Sequence, residues 1–277
     1  MKLGEYQTLV IIKKVEFGVY LAESREAEEK VLLPGSQVPK NAVIGDRMEV
    51  FVYRDSKDRM IATCVKPKLT LGGLAVLTVS QVEKIGVFLD WGLEKDLFLP
   101  YKEINGKVCE GDEILVTLYI DKSDRLCASM KRLYDKLATD APYEKNDTVR
   151  GRVYEFGHDF GTFVAVDDRY SAMIPRSEDT SDLKIGDIIE ARVTGVKEDG
   201  KLDITRRANK ETQMDADAER VLRVIGEYAG VLPFNDKASP ETIMREMQMS
   251  KAAFKRAVGR LYKERKIEIT EKSIRLL

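Results

Sequence analysis

Aromatic and cationic side chains carry most of the chemistry this sequence offers. Gly18, Gly86 and Gly161 each sit between bulky residues in one repeated pattern: Phe17 and Tyr20, Ile85 and Phe88, Phe160 and Phe163. Rings held on the outer face of a strand stack on unpaired bases, worth about 1–3 kcal/mol per base. The same rings suit ordinary barrel packing equally well. Near the third set in sequence lie Arg150, Arg152, Arg169, Arg176 and Arg192, with Tyr170 among them. Arginine both pairs with phosphate and stacks on bases. A second cationic group, Lys251, Lys255, Arg256, Arg260 and Lys263, follows helical spacing, with Lys251, Lys255 and Arg260 broadly on one face. That face suits phosphates, and it also fits a solvated surface or a protein contact.

Other chemistries are excluded or poorly supplied. The 277 residues hold 46 Lys+Arg against 47 Asp+Glu, a net charge of −1, so the chain is not a polycation that coats nucleic acid by charge alone. Third-unit sequence is the most acidic, and the positive excess sits near the C-terminus. With one histidine, any Ser-His-Asp or Cys-His device must run through His158, and a multi-histidine metal site cannot form. His158 reads as a turn residue or an extra base contact. Cys64, Cys109 and Cys127 form no C-x-x-C pair and no disulfide framework. The carboxylates from Asp90 to Asp96 alternate with apolar residues around Gly92, as on the solvent side of a hairpin. Trp91 within it fits a base platform, a domain-interface anchor or a barrel plug. No metal, cofactor or catalytic role is expected, so the chain reads as a non-enzyme. There is no apolar run of membrane-spanning length, and the expected location is cytoplasmic.

Positioning these residues requires strands, and the strands repeat. Pro34, Pro100 and Pro175 each precede a Gly-Asp pair by eleven residues, at Gly45-Asp46, Gly111-Asp112 and Gly186-Asp187. Opening strands are predicted over 6–14, 74–83 and 148–156, followed by four shorter ones per unit with β-branched and aromatic alternation. Five short strands in about 65 residues suit a small closed barrel, which leaves no exposed edge. After Arg206-Arg207 the apolar period becomes helical. Helices are predicted over 216–228, from the Ser239-Pro240 cap to 247, and after the Ser250 cap, followed by strands over 267–270 and 273–276. The expected domains are three OB-type barrels over 1–66, 67–139 and 140–212, then a winged helix over 213–277, whose third helix would be the recognition helix.

The segments Phe17-Gly18-Val19-Tyr20 and Phe160-Gly161-Thr162-Phe163, with the Gly-Asp pairs, resemble the ribosomal-protein S-one type of RNA-binding OB domain. The segments VFVYRDSKDRMIAT (50–63) and FLDWGLEKDLFLP (88–100) resemble the bacterial conserved virulence factor B family, and that resemblance spans essentially the whole chain. The S-one resemblance implies that Phe17, Tyr20, Ile85, Phe88, Phe160 and Phe163 face the ligand. It also implies a departure, since prolines stand at or next to the position where that family often places an RNA-contacting histidine, with Tyr101 and Arg176 just after them. The virulence factor B resemblance implies a post-transcriptional regulator that affects virulence genes. Single-stranded RNA is the expected partner, with barrel three and the winged helix as the preferred binding pair. A DNA-binding transcription regulator and a protein–protein adaptor remain the rival readings, so DNA is a possible partner, and the sequence names no particular protein partner.

Overall fold

The computed structural model describes residues 1–157, 159–207 and 210–277, without the side chains of 210–216. His158 therefore lies outside the described residues. The chain divides into two compact units, Met1–Arg206 and Arg207–Leu277.

The first unit holds three closed five-stranded barrels of identical strand order. Barrel one comprises β1 (Tyr6–Val15), β2 (Gly18–Ala22), β3 (Val31–Pro34), β4 (Arg47–Arg54) and β5 (Met60–Thr63). Barrel two comprises β6 (Leu74–Glu83), β7 (Gly86–Asp90), β8 (Leu97–Pro100), β9 (Glu113–Ile120) and β10 (Leu126–Ser129). Barrel three comprises β11 (Thr148–Gly157), β12 (Gly161–Val166), β13 (Tyr170–Pro175), β14 (Ile188–Val196) and β15 (Leu202–Thr205). Each runs as an antiparallel meander closed by a parallel contact between its third and fifth strands.

The sequence markers have backbone causes. A Cβ on Gly18, Gly86 or Gly161 would stand 2.1, 2.4 or 2.1 Å from the carbonyl oxygen of Leu33, Leu99 or Ile174, so only glycine allows the second strand to approach the third this closely. Gly45, Gly111 and Gly186 take positive φ and donate to the carbonyls of Ile11, Val79 and Val153. The following Asp46, Asp112 and Asp187 each accept, at 2.7–2.8 Å, from the amide three residues earlier, which closes the turn into the fourth strand. The first strand of every barrel bulges at this level, between Ile11 and Lys13, Val79 and Gln81, and Val153 and Glu155. A further marker is visible three residues after each proline. Gln37, Glu103 and Glu178 accept from the hydroxyls of Thr63, Ser129 and Thr205 and so pin the end of the fifth strand.

Barrels one and three have apolar interiors of their own. The core of barrel two is larger, because Phe51 and Tyr53 from barrel one and Tyr154 and Ala165 from barrel three join it. Trp91 is 2% exposed, edge-on to Phe51 and Tyr53 at 5.8 and 6.2 Å, and its Nε1 donates to the Lys95 carbonyl at 2.6 Å. Of its three possible roles, it is an anchor between barrels.

The second unit consists of α1 (Lys210–Glu227), β16 (Val231–Leu232), α2 (Pro240–Met247), α3 (Lys251–Lys263), β17 (Ile267–Ile269) and β18 (Ile274–Leu276), with sheet order β16-β18-β17. Ser239 and Ser250 accept from the amides of Thr242 and Ala253 and cap α2 and α3. Val221, Ile225, Ile243, Phe254, Val258 and Leu261 meet in its core. Two features go beyond the apolar pattern. α1 starts in a polar stretch that carries no stripe, and β16 is only two residues long, too short to show a period.

Candidate nucleic-acid interface

Strand register gives each barrel one row of outward side chains across its first three strands. In barrel one the row is Lys13, Tyr20 and Leu32; in barrel two, Gln81, Phe88 and Phe98; in barrel three, Glu155, Phe163 and Met173. Directly opposed residues on one face of antiparallel strands touch side by side. The residue before each glycine caps the row from the β1–β2, β6–β7 or β11–β12 turn. Phe17, Ile85 and Phe160 are 60%, 68% and 70% exposed, so none of them is packed into a barrel core.

The three rows differ in what surrounds them. Barrel three opens into a cleft of about 830 Å³ lined by Phe160, Phe163 and Met173, by Lys131, Lys197 and Lys201, and by Glu155, Asp135 and Asp159. Tyr134 adds a ring from outside the barrel. It lies edge-on to Phe163 at 5.7 Å, its hydroxyl accepts from Lys201 Nζ at 3.1 Å, and Leu133 and Leu137 bury its segment. Lys201 also lies over the Tyr134 ring and pairs with Asp199, which raises its pKa. Lys197 pairs with Asp203. Barrel two's row is hemmed in: Phe88 packs on Phe98 at 5.4 Å, and the β4–β5 hairpin of barrel one faces it across about 290 Å³. Arg54 donates to the Asp124 carbonyl, Arg125 pairs with Asp58, and Lys95 donates to the Asp55 carbonyl, which fastens that hairpin in place. In barrel one Lys30 lies over Tyr20 at 5.3 Å.

The third-barrel arginines do not all gather at these rings. Arg176 does: its amide donates to the Phe160 carbonyl and its guanidinium reaches Asp159 at 3.9 Å. Arg150 and Arg152 lie at the other end of β11, beside Asp167 and Asp168. Arg152 is 6% exposed, pairs with Asp168 at 2.8 Å and donates to the carbonyls of Glu113 and Gly186, so it is a structural cation. Arg192 donates to Asn146, and Tyr170 packs on Tyr143 with Arg169 over its ring. Nearness in sequence placed these residues together, but strand length carries them to the far end of the barrel. Tyr101, which follows Pro100, spends its hydroxyl on the Glu83 carbonyl.

On α3, Lys255 and Arg256 are exposed, whereas Lys251 reaches toward the Lys237 carbonyl and Arg260 pairs with Glu264 at 2.8 Å. Among the described residues no three His, Cys, Asp or Glu side chains gather to hold a metal ion, and no helix is long and apolar enough to cross a membrane.

Comparison with known proteins follows the same division of the chain. Residues 3–65 and 71–131 match the S1 domain, residues 135–208 match the second domain of the virulence regulatory factor CvfB, and residues 219–276 match the CvfB-like winged helix domain. The chain belongs to the conserved virulence factor B family. It is similar to the uncharacterized protein YitL of Bacillus subtilis, at 32% identity over 96% of this chain and 91% of that protein. It is also similar to conserved virulence factor B of Staphylococcus haemolyticus, at 28% identity over 99% and 94%. A solved structure described as a multidomain protein with nucleic acid binding domains from Streptococcus pneumoniae is 25% identical, with a TM-score of 0.56 over 99% of this chain and 98% of that one. In this member of the virulence factor B family, the third barrel is matched by a model separate from the one that matches the first two, and it is also the barrel with the open cleft. Tyr134, Lys131 and Lys201 were not apparent from the ring pattern, because two of them precede the barrel and the third lies beyond its fourth strand.

Proposed function

We propose that the chain binds single-stranded RNA, with the cleft of barrel three as the principal site, and that it acts as a post-transcriptional regulator, including of virulence genes. One observation carries this reading: the exposed ring of Phe160, the Phe163 face and the fixed Tyr134 ring converge on one open cleft edged by three lysines. Stacking needs a free π-face, which unpaired bases can fill and a duplex cannot supply from its interior. Arg176 and Lys131 supply phosphate contacts beside the rings. Phe17 and Tyr20 form a second, weaker face, and Phe88 contributes least because it packs on Phe98 and opens onto a narrower cleft shared with the barrel-one hairpin. Lys255 and Arg256 on α3, with Lys251 and Arg260 beside them, add phosphate contacts from the winged helix without reading sequence. The net charge near zero means that affinity comes from stacking and local cations rather than from bulk attraction.

The test is fluorescence anisotropy on short single-stranded RNA and on duplex DNA at several salt concentrations. Replacing Phe160 and Phe163 together by Ala is expected to weaken RNA binding by about 2–6 kcal/mol for two lost stacks. An unchanged affinity removes the stacking site. A preference for duplex DNA that vanishes in Lys255→Ala with Arg256→Ala replaces the RNA reading by a transcriptional one.

A further inference from the structure

The three outward rows keep a ring or bulky side chain in the middle but change chemistry at the first position: Lys13, Gln81 and Glu155. Each of these residues follows the bulge of the opening strand, and each stands directly opposite the ring. Bulges re-aim side chains, and here the re-aimed one flanks any base lying on the ring. A structural requirement common to three homologous barrels would keep one residue type there. Instead the site presents a cation, an amide and a carboxylate.

In barrel three the carboxylate is placed for contact. Glu155 is half-buried in the wall of the open cleft, and its Oε2 accepts from Asn105 Nδ2 at 3.2 Å. That bond fixes the group in the cleft wall and uses one of its about four acceptor sites, so both oxygens can still accept. Burial pushes the Glu155 pKa up, so this carboxylate is short of the hydrogen bonds that water would give it. A ligand that donates to it restores them. A carboxylate only accepts, and its two oxygens match two parallel donors. Guanine presents adjacent N1–H and N2–H₂ donors on its Watson–Crick edge. Adenine, cytosine and uracil each place an acceptor beside their donor, which points a lone pair at the carboxylate.

We propose that Glu155 reads the base seated on Phe163 and selects guanine, with Asn105 of the preceding barrel as its positioning residue. This rests on the RNA-binding reading above and deepens it. Met173, on the other side of Phe163, supplies a soft apolar wall that accepts a purine.

The test uses the full chain and heptaribonucleotides of uridine with a central guanosine, inosine or adenosine, read by fluorescence anisotropy. The central guanosine is expected to bind about tenfold or more tighter than adenosine, the discrimination of one good bidentate contact. Inosine, which lacks the N2 amino group, falls between them. Glu155→Gln keeps the shape but swaps one acceptor for a donor, and it is expected to bring the guanosine and adenosine affinities within about twofold while binding of the adenosine oligomer persists. Circular dichroism melting of the variant confirms that the barrel is intact. Equal binding of guanosine and adenosine oligomers by the wild type, or a preference that survives Glu155→Gln, overturns the assignment of Glu155 and leaves RNA binding standing. Failure of every oligomer to bind overturns both.

Discussion

Replacing Trp91 by Ala perturbs the joint between the first two barrels at its centre. The side chain is 2% exposed and lies edge-on to Phe51 and Tyr53 of the neighbouring barrel. A tryptophan buries about 150–250 Å², which at about 25 cal/mol per Å² amounts to roughly 4–6 kcal/mol. Core truncations of this size cost about 3–5 kcal/mol in practice, and we expect about 4 kcal/mol here, because rings from two barrels lose their common partner. For a unit of this size, each kcal/mol lowers Tm by roughly 2–4 °C, so the loss is about 8–16 °C. Urea unfolding followed by far-ultraviolet circular dichroism measures it. The wild type offers a second probe, since Trp91 is the only tryptophan and its emission reports this joint alone. Trp91→Phe keeps an apolar ring but loses the bond to the Lys95 carbonyl and should cost about 1–2 kcal/mol. A loss below about 1.5 kcal/mol for Trp91→Ala would refute the joint as an energetic element, because it falls outside the range for a buried aromatic. So would separate melting of barrels one and two in the wild type.

Two further predictions address charged groups. Arg152→Ala leaves the half-exposed Asp168 without its partner, so a loss of about 2–3 kcal/mol in urea unfolding is expected, below the full value for a buried pair, with RNA affinity unchanged; lost affinity at unchanged stability would return Arg152 to the binding surface. Glu155 has a folded pKa raised by burial, so its ionisation opposes folding: the stability linked to this group is present below the unfolded pKa and lost as pH rises through the folded value. Glu155→Gln should therefore raise Tm at pH 7 to 8, with an advantage that shrinks as the pH falls through the carboxylate range and Lys131 and Asn105 still face the group; an equal shift at pH 4 and pH 8 would contradict this.

Features fixed by short backbone contacts were legible in the sequence. Gly18, Gly86 and Gly161 are required by a neighbouring carbonyl, the Gly-Asp turns by a positive φ, and the Ser239 and Ser250 caps by unpaired helix amides. Such causes act within a few residues and leave a fixed spacing. The cleft was less legible because it is assembled from distant segments: Tyr134 reaches Phe163, and Asn105 reaches Glu155, only after two barrels have packed. Arg150 and Arg152 are the opposite case, near the rings in sequence yet carried to the other end of the barrel by the length of β11. Gln37, Glu103 and Glu178 could have been found, since a polar residue follows each marker proline at the same distance.

The barrel-one hairpin that faces the Phe88 row has a consequence for how a tandem array diverges. Copies of one module begin with equal surfaces, and packing then makes some of them internal. Arg54, Ser56 and Asp58 of barrel one share the wall of the cleft onto which Phe88 opens, so that face answers to a neighbouring barrel as well as to solvent. The middle copy thereby carries a neighbouring hairpin beside the same face that in barrel three is an open cleft.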